Sequence, residues 1–173
     1  MPRTRALLSM IVVCLTASVS QATIFQFDAY LDGLQETPPN ASPATGFGSL
    51  FLDDSNGNWS ISNGTFQDLI GTSNNAHIHG PAAPGVGPAG VIAPLTFDFG
   101  VNSGTYSNGA GLTTFTPAQM TDLINGLYYV NIHSSFAPGG EIRGQILLVP
   151  EPGTAALLGL GIALLAARRR ALR

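Results

Sequence analysis

An antiparallel all-β domain, sandwich or barrel, with one short helix is the fold class that residues 23–149 predict. Three observations carry it. Short runs alternate apolar and polar residues at the period of two that half-buries a strand. Gly, Asn, Thr, Ser and Pro gather between those runs, as turns require. Between two of the runs lies Asp53-Asp54-Ser55-Asn56-Gly57-Asn58, whose Asn-Gly pair is the strongest short hairpin signal.

The first strand is expected over Ile24–Leu34, where Phe25, Phe27, Ala29 and Leu31 share one face and Gln26, Asp28 and Asp32 the other. Phe47–Leu52 and Trp59–Ile61 flank the Asn-Gly turn. Further strands are expected near Thr65–Ile70, Asn75–His79, Val91–Phe97, Leu127–His133 and Glu141–Leu148. A helix interrupts them: Thr116-Pro117-Ala118-Gln119 offers an N-cap, a proline in the first turn and a capping-box glutamine, and Gly126 closes it.

The two ends differ from this body. Arg3 and Arg5, the apolar run Ala6–Thr16 and the small-x-small Ser20-Gln21-Ala22 predict an export signal over residues 1–22. Cys14 lies inside that signal, so the exported chain has no cysteine and neither disulfide nor thiolate–metal chemistry. The remaining 127 residues, 23–149, suffice for one core. They carry nine acidic residues against Arg143 alone, a charge of about −8, and the chain has no lysine. Such a field repels polyanions and excludes nucleic acid as a partner, leaving cations, neutral sugars or basic proteins.

Few groups in the body suggest chemistry. Asp54-Ser55-Asn56-Gly57-Asn58 resembles the start of a calcium loop, but Trp59 and Thr65 stand where a glycine and an acid are needed, so a plain turn is the better reading. His77 and His79, two apart on a strand, share a face; so do Tyr129, Asn131 and His133. Were the two strands neighbours, three imidazoles would converge in a set that suits zinc or copper with one open position. The alternative is that these histidines hydrogen-bond loop carbonyls and organise Gly80-Pro81. Glu141 and Arg143 also share a face, and the lone arginine is expected to pair with Glu141 or Glu36 as a structural polar pair.

From Val149 the chain reads Val-Pro-Glu-Pro-Gly, then an uncharged run of 14 residues from Thr154 to Ala167, then Arg168-Arg169-Arg170. As a helix that run is ~21 Å long, short for a permanent membrane span, and the basic end fits a cytoplasmic stop. Pro150, Glu151 and Pro152, the short apolar run and the basic end together resemble the PEP-CTERM sorting signal. That resemblance makes residues 150–173 a sorting and anchor segment with a short transmembrane helix, recognised by an exosortase in a Gram-negative envelope that makes exopolysaccharide.

The body has a resemblance of its own. It is carried by Ala29-Tyr30-Leu31-Asp32-Gly33-Leu34-Gln35-Glu36-Thr37-Pro38-Pro39, Ala44-Thr45-Gly46-Phe47-Gly48, and Ala76-His77-Ile78-His79-Gly80-Pro81-Ala82 with Pro84-Gly85. Tyr129-Val130-Asn131-Ile132-His133 and Pro138-Gly139-Gly140-Glu141-Ile142-Arg143-Gly144-Gln145 complete the series. In this order they resemble the chordin-type CHRD domain. The resemblance implies an immunoglobulin-like, antiparallel Greek-key β-sandwich with limited similarity to copper–zinc superoxide dismutases. His77-x-His79 is similar to the copper-binding His-x-His of those enzymes. With only His133 besides and no cysteine, at most one mononuclear site is expected, and dismutase activity is not.

Two functional expectations follow. The first is a non-enzymatic module, exported and membrane-retained, that binds or builds at the cell surface or in the exopolysaccharide matrix. The second is an envelope protein that holds one copper or zinc ion on His77, His79 and His133. Binding to the exopolysaccharide itself is a third, resting only on the sorting context.

Overall fold

The computed structural model describes residues 23–150 and, in the C-terminal segment, Gly153, residues 157–162, Leu164 and Arg168. The expected export signal lies outside the described residues, as do Glu151 and Pro152 of the sorting motif. Among the described residues no helix is long and apolar enough to cross a membrane.

The body is an antiparallel β-barrel. Its strands are β1 (Ile24–Asp32), β2 (Thr45–Asp53), β3 (Trp59–Gln67), β4 (Ser73–His79), β5 (Val91–Phe97), β6 (Gly104–Asn108), β7 (Tyr129–Ser134) and β8 (Ile142–Gln145). A two-residue β9 (Leu147–Leu148) follows β8 after Ile146 and also runs along β1. The order around the sheet is β1-β2-β3-β6-β5-β4-β7-β8, and β8 returns to β1 through Asp32 and Arg143. The all-β antiparallel character with one short helix is as expected. The two-sheet sandwich gives way to one continuous sheet because β1 is paired along both sides, which leaves no open edge there.

The alternation foreseen in β1 fills the barrel: Phe27, Ala29 and Leu31 are buried, with Leu50 and Leu52 from β2, Ile78 from β4, and Val130 and Ile132 from β7. The Asn-Gly hairpin forms between Leu52 and Trp59, where the Asp53 carboxylate accepts from Ser55 and Asn56 and Gly57 takes a positive φ of 75°. Two expectations shift. Trp59–Ile61 and Thr65–Ile70 merge into one nine-residue strand, and Gly33–Gln35 leaves β1 as a 3-10 turn capped by Asp32.

That merger depends on Gly64. A Cβ there would overlap the carbonyl oxygen of Tyr106 on β6, so only glycine lets the two strands approach. Gly64→Ala is expected to cost about 2 kcal/mol through this overpacking, read as a lower urea midpoint at unchanged m-value.

Helix α1 (Pro117–Ile124) forms as foreseen, with Thr116 and Gln119 closing a reciprocal capping box and Gly126 at φ 68° beyond its end. It lies on the long connection from β6 to β7. The strands β7 and β8 depart most from simple alternation, since every residue of both is buried. Their inward residues face the barrel core. Their outward ones lie beneath the connections 33–44, 80–90 and 135–141, which form a second, polar layer.

Candidate metal centre

The register of three neighbouring strands builds the site. His79 on β4 is opposite Tyr129 on β7, which is opposite Gln145 on β8; one step along, His77 is opposite Asn131 and then Arg143. His133 pairs with Asn75, one further step along. The alternation that keeps Ala76, Ile78, Val130 and Ile132 inside therefore turns all three imidazoles to the same outer face. The two strands are neighbours, and the convergence that the sequence left conditional is present.

One ligand nitrogen from each of His77, His79 and His133 lies within 4.8 Å of the others. Hydrogen bonds to acceptor-only groups fix two tautomers. His79 Nδ1 is 3.0 Å from the Ala89 carbonyl oxygen and His133 Nδ1 is 2.9 Å from that of Pro138, so each Nδ1 carries the proton and donates. Both Nε2 atoms are thereby left with lone pairs. That of His133 accepts from His77 Nδ1 at 3.2 Å, while that of His79 is buried with no partner among the described residues. The loop-carbonyl role weighed against metal binding is thus real, and it is also what a metal site needs in its outer shell.

Electrostatics keep the ligands neutral. Burial, followed by the neighbouring His133 and His79, pushes His77 down to about 4. Burial also lowers His79 and His133, against the opposing hydrogen bonds to Ala89 and Pro138. Neutral imidazole is the form that ligates.

The stack behind His79 holds it in place. Tyr129 lies parallel to the His79 ring, centroids 5.2 Å apart, and the Arg143 guanidinium sits 3.5 Å from the centre of the Tyr129 ring. Arg143 donates to the carbonyl of Val86 at 2.9 Å and to Gln145 Oε1 at 3.2 Å; Gln145 Nε2 donates to Ala82 and Gly126. The Ala89 N–H donates to the Tyr129 hydroxyl at 3.1 Å. The 80–90 connection is therefore tied to the sheet at Ala82, at Val86 and at Ala89, the residue that orients His79.

Glu141 and Arg143 do not pair. Glu141, fully buried, accepts from Ser42 Oγ, Ile70 N–H, Gly71 N–H and Ser134 Oγ, and so ties the connections before β2 and before β4 to the end of β7. Arg143 instead turns toward the 80–90 connection. The reason is geometric: Glu141 sits one residue before β8, where the chain still faces the loops at the barrel end.

Glu36 is the group that sequence reasoning left aside except as a possible partner for Arg143. It is buried, its Oε1 meets no donor among the described residues, and it lies beside Gly140 and Asn131. Burial raises its pKa to about 7, against the lowering effect of the nearby Arg143 charge. Since the folded value is the higher, Glu36 contributes stability below pH 4.5 and loses it as pH rises through 7. His77 acts in the opposite direction, its contribution being lost as pH falls from 6.5 through 4. Glu36→Gln is expected to abolish the loss of stability between pH 5 and 8, about 1 kcal/mol or more, and to leave the acid-side loss intact; urea midpoints across pH measure both.

Two family models match the chain. The CHRD domain model matches residues 27–146. The chain belongs to the CHRD-domain family. The PEP-CTERM protein-sorting motif matches residues 148–170, beginning on β9. No curated protein and no solved structure matches. The sorting motif implies processing by an exosortase, export and a membrane-anchored place in the cell envelope. In this CHRD domain, the three histidines come from β4 and β7, and all lie within the matched region.

Proposed function

We propose that this protein is a non-enzymatic, exosortase-sorted CHRD module of the cell surface whose His77, His79 and His133 hold one copper or zinc ion. The observation that carries this is the convergence of three neutral imidazoles, two with their tautomers set by backbone carbonyls and one with an orphaned buried Nε2.

The fit to a single ion is close. Metal–nitrogen bonds of ~2.1 Å place the nitrogens of a three-histidine set ~3.4–3.6 Å apart. His77 and His133 already approach at 3.2 Å, and His77, the least buried of the three, is the ligand free to swing toward His79. Binding through His77 Nδ1 requires its proton to move to Nε2, a tautomer change that leaves the ring neutral. With no acidic ligand in the set, the charge of the ion is balanced only by the acidic body around it. Imidazoles without thiolate suit zinc and copper. The role in binding or building at the cell surface then belongs to the outer surface of the barrel.

Metal analysis of the purified protein tests the reading. About one copper or zinc per chain is expected, with at least a tenfold loss of affinity in His79→Ala at unchanged circular dichroism. A protein that takes up neither ion, and whose melting temperature ignores both, overturns the assignment.

A further inference from the structure

The sorting motif leaves the barrel from an apolar groove. Val149 is still bound to β1, its N–H donating to the Gln26 carbonyl at 2.8 Å. Pro150 is exposed and begins the exit. Beside it lies an open groove of about 300 Å³ formed by Tyr30, Leu147, Leu148, Val149 and Pro150, with Asp28, Gln35 and Gln145 at its polar margin. Tyr30 is 67% exposed and Leu147 52%, and Leu34, next to Gln35 in the chain, is 75% exposed. Large apolar side chains left in water around one opening mark an interaction surface.

The reach of the chain identifies the occupant. Four residues, Pro150 to Gly153, separate Val149 from the uncharged run that starts at Thr154. Even fully extended, they span no more than ~14 Å. Wherever the tail enters a bilayer, the groove that borders Pro150 lies within that distance of the headgroups. Tyrosine and leucine are side chains that partition into this interfacial zone.

We propose that the groove formed by Tyr30, Leu147, Leu148 and Val149, with Leu34 at its side, is a lipid-facing surface that rests the barrel on the membrane outside the anchored tail. The contact is apolar rather than electrostatic. Among the described residues, Asp28 is the one charged residue in the groove, and the body's single arginine is buried at Tyr129. It therefore needs no anionic lipid and is insensitive to salt. It leaves the strands farthest from β1 in the order around the sheet, such as β5 with Phe99 just beyond its end, toward the aqueous side. This inference rests on the sorting motif and is independent of the metal.

Single cysteines in the full chain test it, on a Cys14→Ser background that has no other thiol. Leu34→Cys, Leu147→Cys and, as the control, Phe99→Cys (74% exposed) each carry an environment-sensitive fluorophore in phosphatidylcholine vesicles. With spin-labelled lipid, quenching at 34 and 147 is expected to exceed that at 99 at least twofold, unchanged between 0.05 and 0.5 M salt and between high dilution and high protein-to-lipid ratio. Equal quenching at the three positions overturns the proposal. So does protection at 34 and 147 that appears only at high protein-to-lipid ratio, which marks a contact between copies. Flotation of the same samples reports anchoring separately, and a chain that does not float with the vesicles overturns the proposal as well, while leaving the metal reading untouched.

Discussion

Glu141→Gln is expected to lower the unfolding free energy by about 3 kcal/mol. The carboxylate is fully buried and accepts four hydrogen bonds, from Ser42, Ile70, Gly71 and Ser134. Four donors point at two oxygens, so no orientation of an amide satisfies them: its NH2 must face at least one N–H or O–H. Whichever oxygen becomes the amide NH2, one backbone N–H is stranded, that of Ile70 or that of Gly71, both on the connection from β3 to β4. The Glu141 carbonyl accepts from Asn40 as well, so the 33–44 connection is held from both ends of this residue. Urea unfolding measures the loss. A change below ~1 kcal/mol would show that water replaces the carboxylate and would remove Glu141 from its structural role.

Arg143→Ala is expected to act on stability and on the metal centre together. The guanidinium, 1% exposed, holds the Val86 carbonyl and covers the Tyr129 ring, and that ring supports His79. Its loss leaves the Val86 carbonyl and Gln145 Oε1 without their donor and opens a void beneath the 80–90 connection. A cost of about 2–4 kcal/mol follows from the cavity and the stranded acceptors. The same connection carries Ala89, whose carbonyl sets the His79 tautomer, so metal affinity should fall by about tenfold or more, as for other outer-shell changes. Arg143→Lys should not rescue it, because an ammonium cannot both stack flat on Tyr129 and reach the loop carbonyls in one plane. Calorimetric titration against melting temperature separates the two effects: a variant that loses stability and keeps its affinity would break the proposed link between loop and ligand.

Local features of this kind were unequally legible beforehand. His77 and His79 on one face, and Tyr129, Asn131 and His133 on another, follow from strand periodicity alone. That these are the same face of adjacent strands needed the β4–β7 register. The partner of Arg143 could not be read from its position, because charge balance points to a carboxylate whereas the folded chain supplies carbonyls and an aromatic ring. Glu36 gives no local sign of its burial, which arises where the 33–44 connection folds over Asn131.

By itself the sequence determined the all-β class, most strands, the capped helix, the acidic cysteine-free body and the sorting tail, since each rests on interactions between residues close in the chain. Only the tertiary structure decided that the sheet closes into a barrel, that the outer face of β4, β7 and β8 is roofed by loops, and that three imidazoles meet beneath them. Those outcomes depend on pairings between residues as far apart as Asp32 and Arg143. Such pairings are set by which side chains can fill a common interior together, and no local pattern encodes that choice.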